Sequence, residues 1–233
     1  MLTRSSLRKE KRMSCSSSLI NNLRPLVLDT SVLINLRACT HGKRILTAIP
    51  NDILVPEIVA GELEHETSRR NGEHSFLHSL VTSGTVTLAD LTDEEYEIFH
   101  LLTSRSPTLG DGEAATIAIS VTRRLFPVID EKRGRARAIT LMETREPAWS
   151  LDLLRHPLVT ALLGDQAAAE ALYLALRDGR MRIPSGSADY VIALIGMGRA
   201  IDCTCLPDYR ERFSPGNGAL TVREARPTSS YVD

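Results

Sequence analysis

Four short acidic signatures occur within the first 131 residues of this 233-residue chain. They are Leu28-Asp29-Thr30-Ser31, Gly61-Glu62-Leu63, Gly112-Glu113-Ala114 and Ile129-Asp130-Glu131. Carboxylates that converge from distant segments repel one another, and a fold tolerates them only when a cation compensates their charge. Hard divalent cations such as Mg²⁺ take oxygen ligands from a few carboxylates and keep several waters. The pattern therefore predicts metal-assisted phosphodiester chemistry.

Alternating strands and helices are needed to bring these signatures together. Apolar runs of strand type end at Asp29 and at Asp130, and two further strands are predicted at 52–55 and 85–88. Helical patterns lie between the strands, which indicates a parallel sheet with helices on both faces. Sites in such sheets form beyond the carboxyl ends of the strands. We therefore expect Asp29 and Asp130 at that edge, with Glu62 and Glu113 on early helical turns nearby.

The predicted fold class is α/β, a three-layer α/β/α arrangement around a central, mainly parallel sheet, followed by a helical C-terminal section. Residues 1–24 are basic and serine-rich and are expected to be a disordered tail, in which Met13 is an alternative start. The α/β domain is expected over 25–155, the helical section over 156–213 and a flexible tail over 214–233. Residues 149–154 fit either a fifth strand or part of an added helical or dimerisation element.

The bulk composition limits the functional classes. The net charge is −1, so binding of a polyanion requires a local basic patch. The four cysteines lack the spacing of a zinc site, and a reducing, cytoplasmic environment fits them best. His74 and His78 are interpreted as an ordinary helix pair, because no His-Glu-x-x-His pattern accompanies them. The longest apolar stretch, 190–197, is far shorter than the roughly 20 residues that a membrane span needs.

In this order and at these intervals, the four signatures resemble those of the PIN-domain ribonucleases, whose relatives include the VapC-like toxins. The similarity covers about residues 25–140. Two details resemble one branch of the family: a helix that begins Gly112-Glu113-Ala114, and the Gly134-Arg135 pair after the last acidic strand end. The resemblance implies catalytic residues that hold one or two Mg²⁺ or Mn²⁺ ions for hydrolysis of RNA. These residues are Asp29, Glu62, Glu113 and Asp130, supported by Ser31, Asp111 and Glu131.

Three of the four catalytic candidates also have a purely structural interpretation. Asp29 could cap the following helix, although Thr30 or Ser31 could do so instead. Glu62 could be a solvated helical residue. Glu113 competes with Asp111, and both would suit the first turn of a helix. Asp130 is preferred to Glu131 because it directly ends the apolar run.

A basic run that follows the last acidic signature predicts contacts with RNA phosphates through Lys132, Arg133 and Arg135. An ordinary solvated helix face is the alternative interpretation. The resemblance implies an RNA substrate, and the toxin role, an antitoxin partner and a homodimer are further expectations that it raises. A catalytically silent protein- or RNA-binding module is the main competing class. An aspartate-type phosphotransfer domain is disfavoured, because Ser31 stands where that class has a second aspartate.

Overall fold

The computed structural model describes residues 19–20, 22–105, 109–142 and 146–213. Within them, four strands form one parallel sheet in the order β3-β2-β1-β4. The strands are β1 (Leu26–Leu28), β2 (Ile53–Pro56), β3 (Thr87–Ala89) and β4 (Phe126–Val128). The predicted tail over 214–233 and most of the one over 1–24 lie outside the described residues. Leu19, which lies within the predicted tail over 1–24, is buried in the main core.

Fourteen α-helices surround the sheet in the described residues, together with one 3₁₀ turn at Ser185–Ser187. The first eight are α1 (Thr30–Ala38), α2 (Gly42–Ala48), α3 (Glu57–Glu62), α4 (Glu66–Asn71), α5 (Glu73–Thr82), α6 (Asp93–Arg105), α7 (Asp111–Thr122) and α8 (Lys132–Leu141). The remaining six are α9 (Ser150–Leu154), α10 (Pro157–Leu163), α11 (Asp165–Arg177), α12 (Ala188–Ile195), α13 (Met197–Ala200) and α14 (Tyr209–Phe213). None of the helices in the described ranges has the length and apolarity to cross a bilayer.

The central strand β1 divides the core into two layers. Successive side chains of a strand point to opposite faces. Leu26 and Leu28 accordingly join the main core, which includes side chains of α1 and α11. Val27 joins a smaller cluster with Ala115 and Ile119 of α7 on the other face. Helices therefore cover both faces of an all-parallel sheet, which confirms the predicted three-layer α/β/α fold.

The register of the sheet sets the position of the acidic residues. Leu28 at the end of β1 pairs with Val128 at the end of β4, and β2 pairs with β1 on the other side. The carboxyl ends of β1 and β4 are therefore adjacent. Asp29 and Asp130 follow them directly at the same edge of the sheet.

Residues 150–154 form helix α9, not a fifth strand. The side chain of Asp152 accepts a hydrogen bond from the Trp149 amide at 2.9 Å and so caps the start of the helix. The Ser150 amide donates its hydrogen bond to Asp130, so it cannot donate to a neighbouring strand as a residue of a fifth strand would. Ala148 alone forms a parallel bridge to Val128. The proposed boundary between 155 and 156 remains a prediction, since the main core includes residues from both sides of it.

An ion pair between the buried Glu95 and the more exposed Arg123 joins α6 to the end of α7. Glu95 is 1% exposed and accepts hydrogen bonds from Arg123 (2.7 and 2.8 Å) and from the Thr122 hydroxyl (2.6 Å). Its carboxylate also accepts the Thr92 amide at the start of α6. Burial alone would raise the pKa of Glu95, but these donors outweigh it and lower the pKa to about 2.

We expect Glu95→Gln to lower the free energy of unfolding by about 1–2 kcal/mol at neutral pH, because Arg123 then lacks its carboxylate partner. The folded-state pKa is lowered, so the stabilisation is present above the unfolded pKa of about 4.5 and disappears as the pH falls towards about 2. In urea unfolding, the free energies of unfolding of the variant and the wild type should therefore differ at neutral pH and become equal near pH 2. The exposed neighbour provides the control: Glu94→Gln should follow the wild type at every pH, and an unchanged Glu95→Gln would contradict the prediction.

Candidate active site

A pocket of about 330 Å³ opens at the carboxyl edge of the sheet. Its lining includes all four residues predicted to be catalytic, Asp29, Glu62, Glu113 and Asp130, together with Ser31 and Glu131. Asp111, the third predicted supporting residue, is exposed at the first position of α7 and does not line the pocket. Residues from four distant segments therefore share one cavity, and their catalytic roles remain a prediction.

Asp29 caps helix α1 and lines the pocket at the same time. Its Oδ1 accepts hydrogen bonds from the Val32 amide and the Ser31 hydroxyl, both at 2.9 Å. The capping interpretation therefore describes its contacts correctly, without removing the residue from the cavity. Asp29 is 1% exposed, and its burial, with the nearby charge of Asp130, raises the pKa of its carboxyl to about 8 against the two hydrogen bonds. A cation in the pocket would favour the ionised form.

Asp130 is held by a donor on each carboxylate oxygen. The Ser150 amide donates to Oδ1 and the Asn35 side-chain amide donates to Oδ2, both at 2.7 Å. Burial raises the pKa of Asp130 to about 6, and the rise is limited by Ser150, Arg135 and Asn35. The adjacent Glu131 instead forms an ion pair with Arg182 at the rim. The two acidic neighbours thus diverge, with Asp130 in the buried position.

Glu62, the last residue of α3, is fixed by two segments remote from it in sequence. The Gly112 amide donates to its Oε1 at 2.8 Å, and the Thr30 hydroxyl donates to its Oε2. A Cβ at position 112 would lie only 2.6 Å from Glu62 Oε2, so any larger residue there would displace the Glu62 carboxylate from its present position. Both carboxylate oxygens of Glu62 therefore bond to the protein, so the side chain is not simply solvated.

Glu113 is half-buried in the first turn of α7, and the Gly110 amide donates to its Oε2 at 3.4 Å. Burial raises the pKa of Glu113, while Gly110 and the charge of Arg182 oppose the rise. Gly134 of α8 packs on its other side, where an added Cβ would be 3.0 Å from Glu113 Oε1. Between the two acidic residues at the start of α7, only Glu113 therefore faces the pocket.

The predicted RNA-binding residues are divided by the structure. Lys132 and Arg133 are exposed on α8 and stay available for the predicted contact. Arg135 is only 7% exposed and stacks over Trp149, 3.9 Å from the ring centroid. Its guanidinium donates to three backbone carbonyls, those of Ile129, Ala148 and Pro147, at 2.7–2.9 Å. The burial of Arg135 and its three bonds to the protein's own backbone argue against the predicted contact with RNA, which stays a prediction.

Several residues at the site were not predicted. Asn35 is 2% exposed on α1 and donates to both Asp130 and Ser150. A polar residue on an otherwise apolar helix face, six residues after Asp29, is a signal that sequence analysis could have used. Arg180 and Arg182 also line the pocket, but they follow α11 and carry no comparable signal in the sequence.

The donor set suits a hard divalent cation. Every acidic side chain that lines the pocket offers oxygen, which Mg²⁺ and Mn²⁺ accept. In the part of the chain that the structure describes, no group of three or more His, Cys, Asp or Glu side chains is arranged to hold an ion. Mg²⁺ commonly binds through one or two carboxylates and completes its shell with water and phosphate oxygens. Two carboxylates such as Asp29 and Asp130 fit that mode. Neither the histidines nor the cysteines of the described residues provide an alternative centre.

Comparison with known proteins agrees with this architecture. A family model described as a PIN domain matches residues 25–142, just over half of the chain. No curated protein and no solved structure matches the chain. The matched segment includes the whole sheet and all four of the carboxylates predicted to be catalytic, and the fold agrees with it. The chain belongs to the PIN-domain family.

Proposed function

We propose that this protein is a metal-dependent endoribonuclease that hydrolyses phosphodiester bonds in RNA. The PIN domain is a nuclease-type fold. The observation that carries the proposal is the convergence of two buried aspartates and two half-buried glutamates on one pocket at the carboxyl edge of the sheet. Such a concentration of negative charge is costly unless a cation is bound there.

In the proposed site, Asp29, Glu62, Glu113 and Asp130 hold the ion or its waters. When bound, Mg²⁺ or Mn²⁺ supplies an activated water and neutralises charge on the scissile phosphate. Ser31 and the Val32 amide fix the orientation of Asp29. Asn35 and Ser150 fix that of Asp130, and Thr30 and Gly112 fix that of Glu62. These three carboxylates are thus held in position before the substrate arrives, which lowers the cost of assembling the site.

The finer biological role extends the proposal. The resemblance of the chain to the VapC-like toxins supports a role as the toxin of a toxin–antitoxin pair. Such a toxin would act on RNA in the cytoplasm. Its candidate partners are an antitoxin and a second copy of the chain. The cysteines of the described residues, Cys39, Cys203 and Cys205, are free thiols, which is compatible with a reducing compartment.

A silent PIN-like binding module is the second candidate function. The observation that favours it is the lack of a compact three-ligand group among the described residues. Such a module would bind RNA or protein without consuming RNA, and titration calorimetry would detect no Mg²⁺ or Mn²⁺ binding at the pocket.

Removal of the metal tests the proposed function. Purified protein incubated with labelled RNA and Mn²⁺ or Mg²⁺ should give cleaved products, and an excess of EDTA should stop the reaction until the metal is restored. A Glu113→Gln protein prepared in the same way controls for a contaminating nuclease, since a contaminant would give equal activity in both preparations. Metal-independent or absent cleavage would contradict the proposal.

A further inference from the structure

A segment outside the matched family region contributes the positive charge of the pocket. Arg180 and Arg182 lie after α11, beyond residue 142, and both line the cavity. The other charged residues of the lining are the five carboxylates Asp29, Glu62, Glu113, Asp130 and Glu131. A phosphodiester that approaches these carboxylates is repelled unless cations face it. The two arginines are the positive charges that the described residues place in this lining.

The two arginines differ in their availability. Arg182 forms an ion pair with Glu131 and is thereby tied to the rim. Arg180 is exposed, and its guanidinium has no hydrogen bond or ion pair with the described residues. An arginine presents planar, paired donors that match a phosphate group. Arg180 is thus the cation of the pocket wall that remains free for a ligand.

The backbone around Arg180 is held firmly in place. Gly179 packs against α1 so closely that an added Cβ would lie 2.7 Å from Asn35 Oδ1 and from the Ala175 carbonyl oxygen. On the other side, Met181 is buried and its amide donates to the same Ala175 carbonyl at 3.0 Å. Asn35 in turn donates to Asp130. The backbone that carries Arg180 therefore contacts Asn35, which itself bonds to Asp130 of the carboxylate site.

Arg180 also adopts a backbone conformation that is unfavourable for its residue type. Its φ is +55°, in the left-handed region that glycine or asparagine adopts at lower cost. Arg124 has nearly the same φ away from the pocket, so the conformation alone does not mark a binding residue; the place of Arg180 in the pocket lining, beside the carboxylates, does.

We propose that Arg180 binds a phosphate of the RNA backbone at the mouth of the carboxylate pocket, as a substrate-positioning residue supplied by the C-terminal section. The proposal rests on the proposed nuclease function, with RNA as the substrate class. Arg182 remains in its ion pair with Glu131 and forms the adjoining wall.

Arg180→Ala tests the contact, and Arg124→Ala is its matched control. Arg124 is also an exposed arginine with a φ of +56°, but it precedes β4 at the opposite edge of the sheet and does not line the pocket. Both substitutions place alanine in the same backbone conformation, so their effects on folding should be alike. Affinity for a labelled single-stranded RNA would be measured by fluorescence anisotropy over a range of salt, with Ca²⁺ in place of Mn²⁺.

We expect Arg180→Ala to weaken RNA binding about 10-fold. The slope of log affinity against log salt should fall by about 0.7, the value for one phosphate contact on a single strand. Arg180→Lys should keep most of the slope and recover part of the affinity, because its charge remains and its paired donors do not. In cleavage assays, Arg180→Ala should lose kcat/KM chiefly through a higher KM. Arg124→Ala should match the wild type in all of these measurements.

Equal affinity and equal salt slope for wild type and Arg180→Ala would overturn this inference, as would binding of RNA by neither protein. Its failure is distinguishable from failure of the nuclease proposal. A wild type that cleaves RNA, with Arg180→Ala indistinguishable from it, removes only the role of Arg180. A changed salt slope without cleavage by the wild type supports the RNA contact and removes the nuclease.

Discussion

An Asp29→Asn protein is expected to cleave RNA at least about 100-fold more slowly than the wild type, while its metal-free form unfolds at a higher temperature. Activity falls because the variant loses a charged oxygen ligand from the buried end of the pocket. Stability rises because burial beside Asp130 raises the pKa of Asp29 to about 8, so the metal-free wild type must take up a proton there to fold at neutral pH, whereas asparagine need not. The gain should be of the order of 2 kcal/mol near neutral pH.

The helix cap survives this substitution. Asparagine keeps an Oδ1 that can accept the Val32 amide and the Ser31 hydroxyl, and it is a good N-cap residue. A loss of activity therefore cannot be attributed to a broken helix start.

Thermal unfolding with and without Mn²⁺, beside the cleavage assay, checks both parts of the prediction. The wild type should be stabilised by the metal, and Asp29→Asn should lose most of that stabilisation. Asp111→Asn, an exposed carboxylate outside the pocket, should behave as the wild type in both assays. Wild-type cleavage by Asp29→Asn would exclude this residue from the chemistry.

Arg135→Lys is expected to lower the free energy of unfolding by about 3 kcal/mol, with a fall in melting temperature of about 10 °C. A lysine carries a single ammonium and cannot reach the carbonyls of Ile129, Ala148 and Pro147 together. Buried acceptors are then left without donors. The stacking of a planar cation on Trp149 is lost as well.

The neighbouring Arg133 gives the matched control on the same helix. Arg133→Ala should change the free energy of unfolding by less than about 0.5 kcal/mol, since the side chain is exposed. Arg133→Ala should weaken RNA binding, because the Arg133 side chain is predicted to contact RNA. Folded Arg135→Lys should bind RNA as tightly as the wild type does. Chemical denaturation and RNA anisotropy on both variants would check the pair, and a reversed result would restore Arg135 to the RNA surface.

The sequence predicted the edge of the sheet at which the site lies, because apolar runs that end in aspartate are short-range signals. The parallel arrangement then placed Asp29 and Asp130 together without any knowledge of contacts. The role of Gly112 and the partners of Glu62 depended on the packing of α3 against α7. Such packing is a long-range property that spacing along the chain does not encode.

The burial of Arg135 shows how a usable signal can be overlooked. It lies beside Gly134 and three residues before Ala138, and all three are buried on one face of α8. That spacing marks an inward face, whereas the count of basic residues favoured a solvated one. The segment over 149–154 was ambiguous for another reason, since a short apolar run fits a strand or a buried helix equally well.

The main core joins the sheet to the last third of the chain. Leu33 and Leu36 on α1 share it with Leu172 and Leu176 on α11, and all four side chains are almost fully buried. In a polypeptide that stopped at residue 142, where the family match ends, the apolar side chains of α1 would be exposed to water. The matched portion and the rest of the described chain therefore share one main core, to which residues beyond 142 contribute about half of the buried side chains.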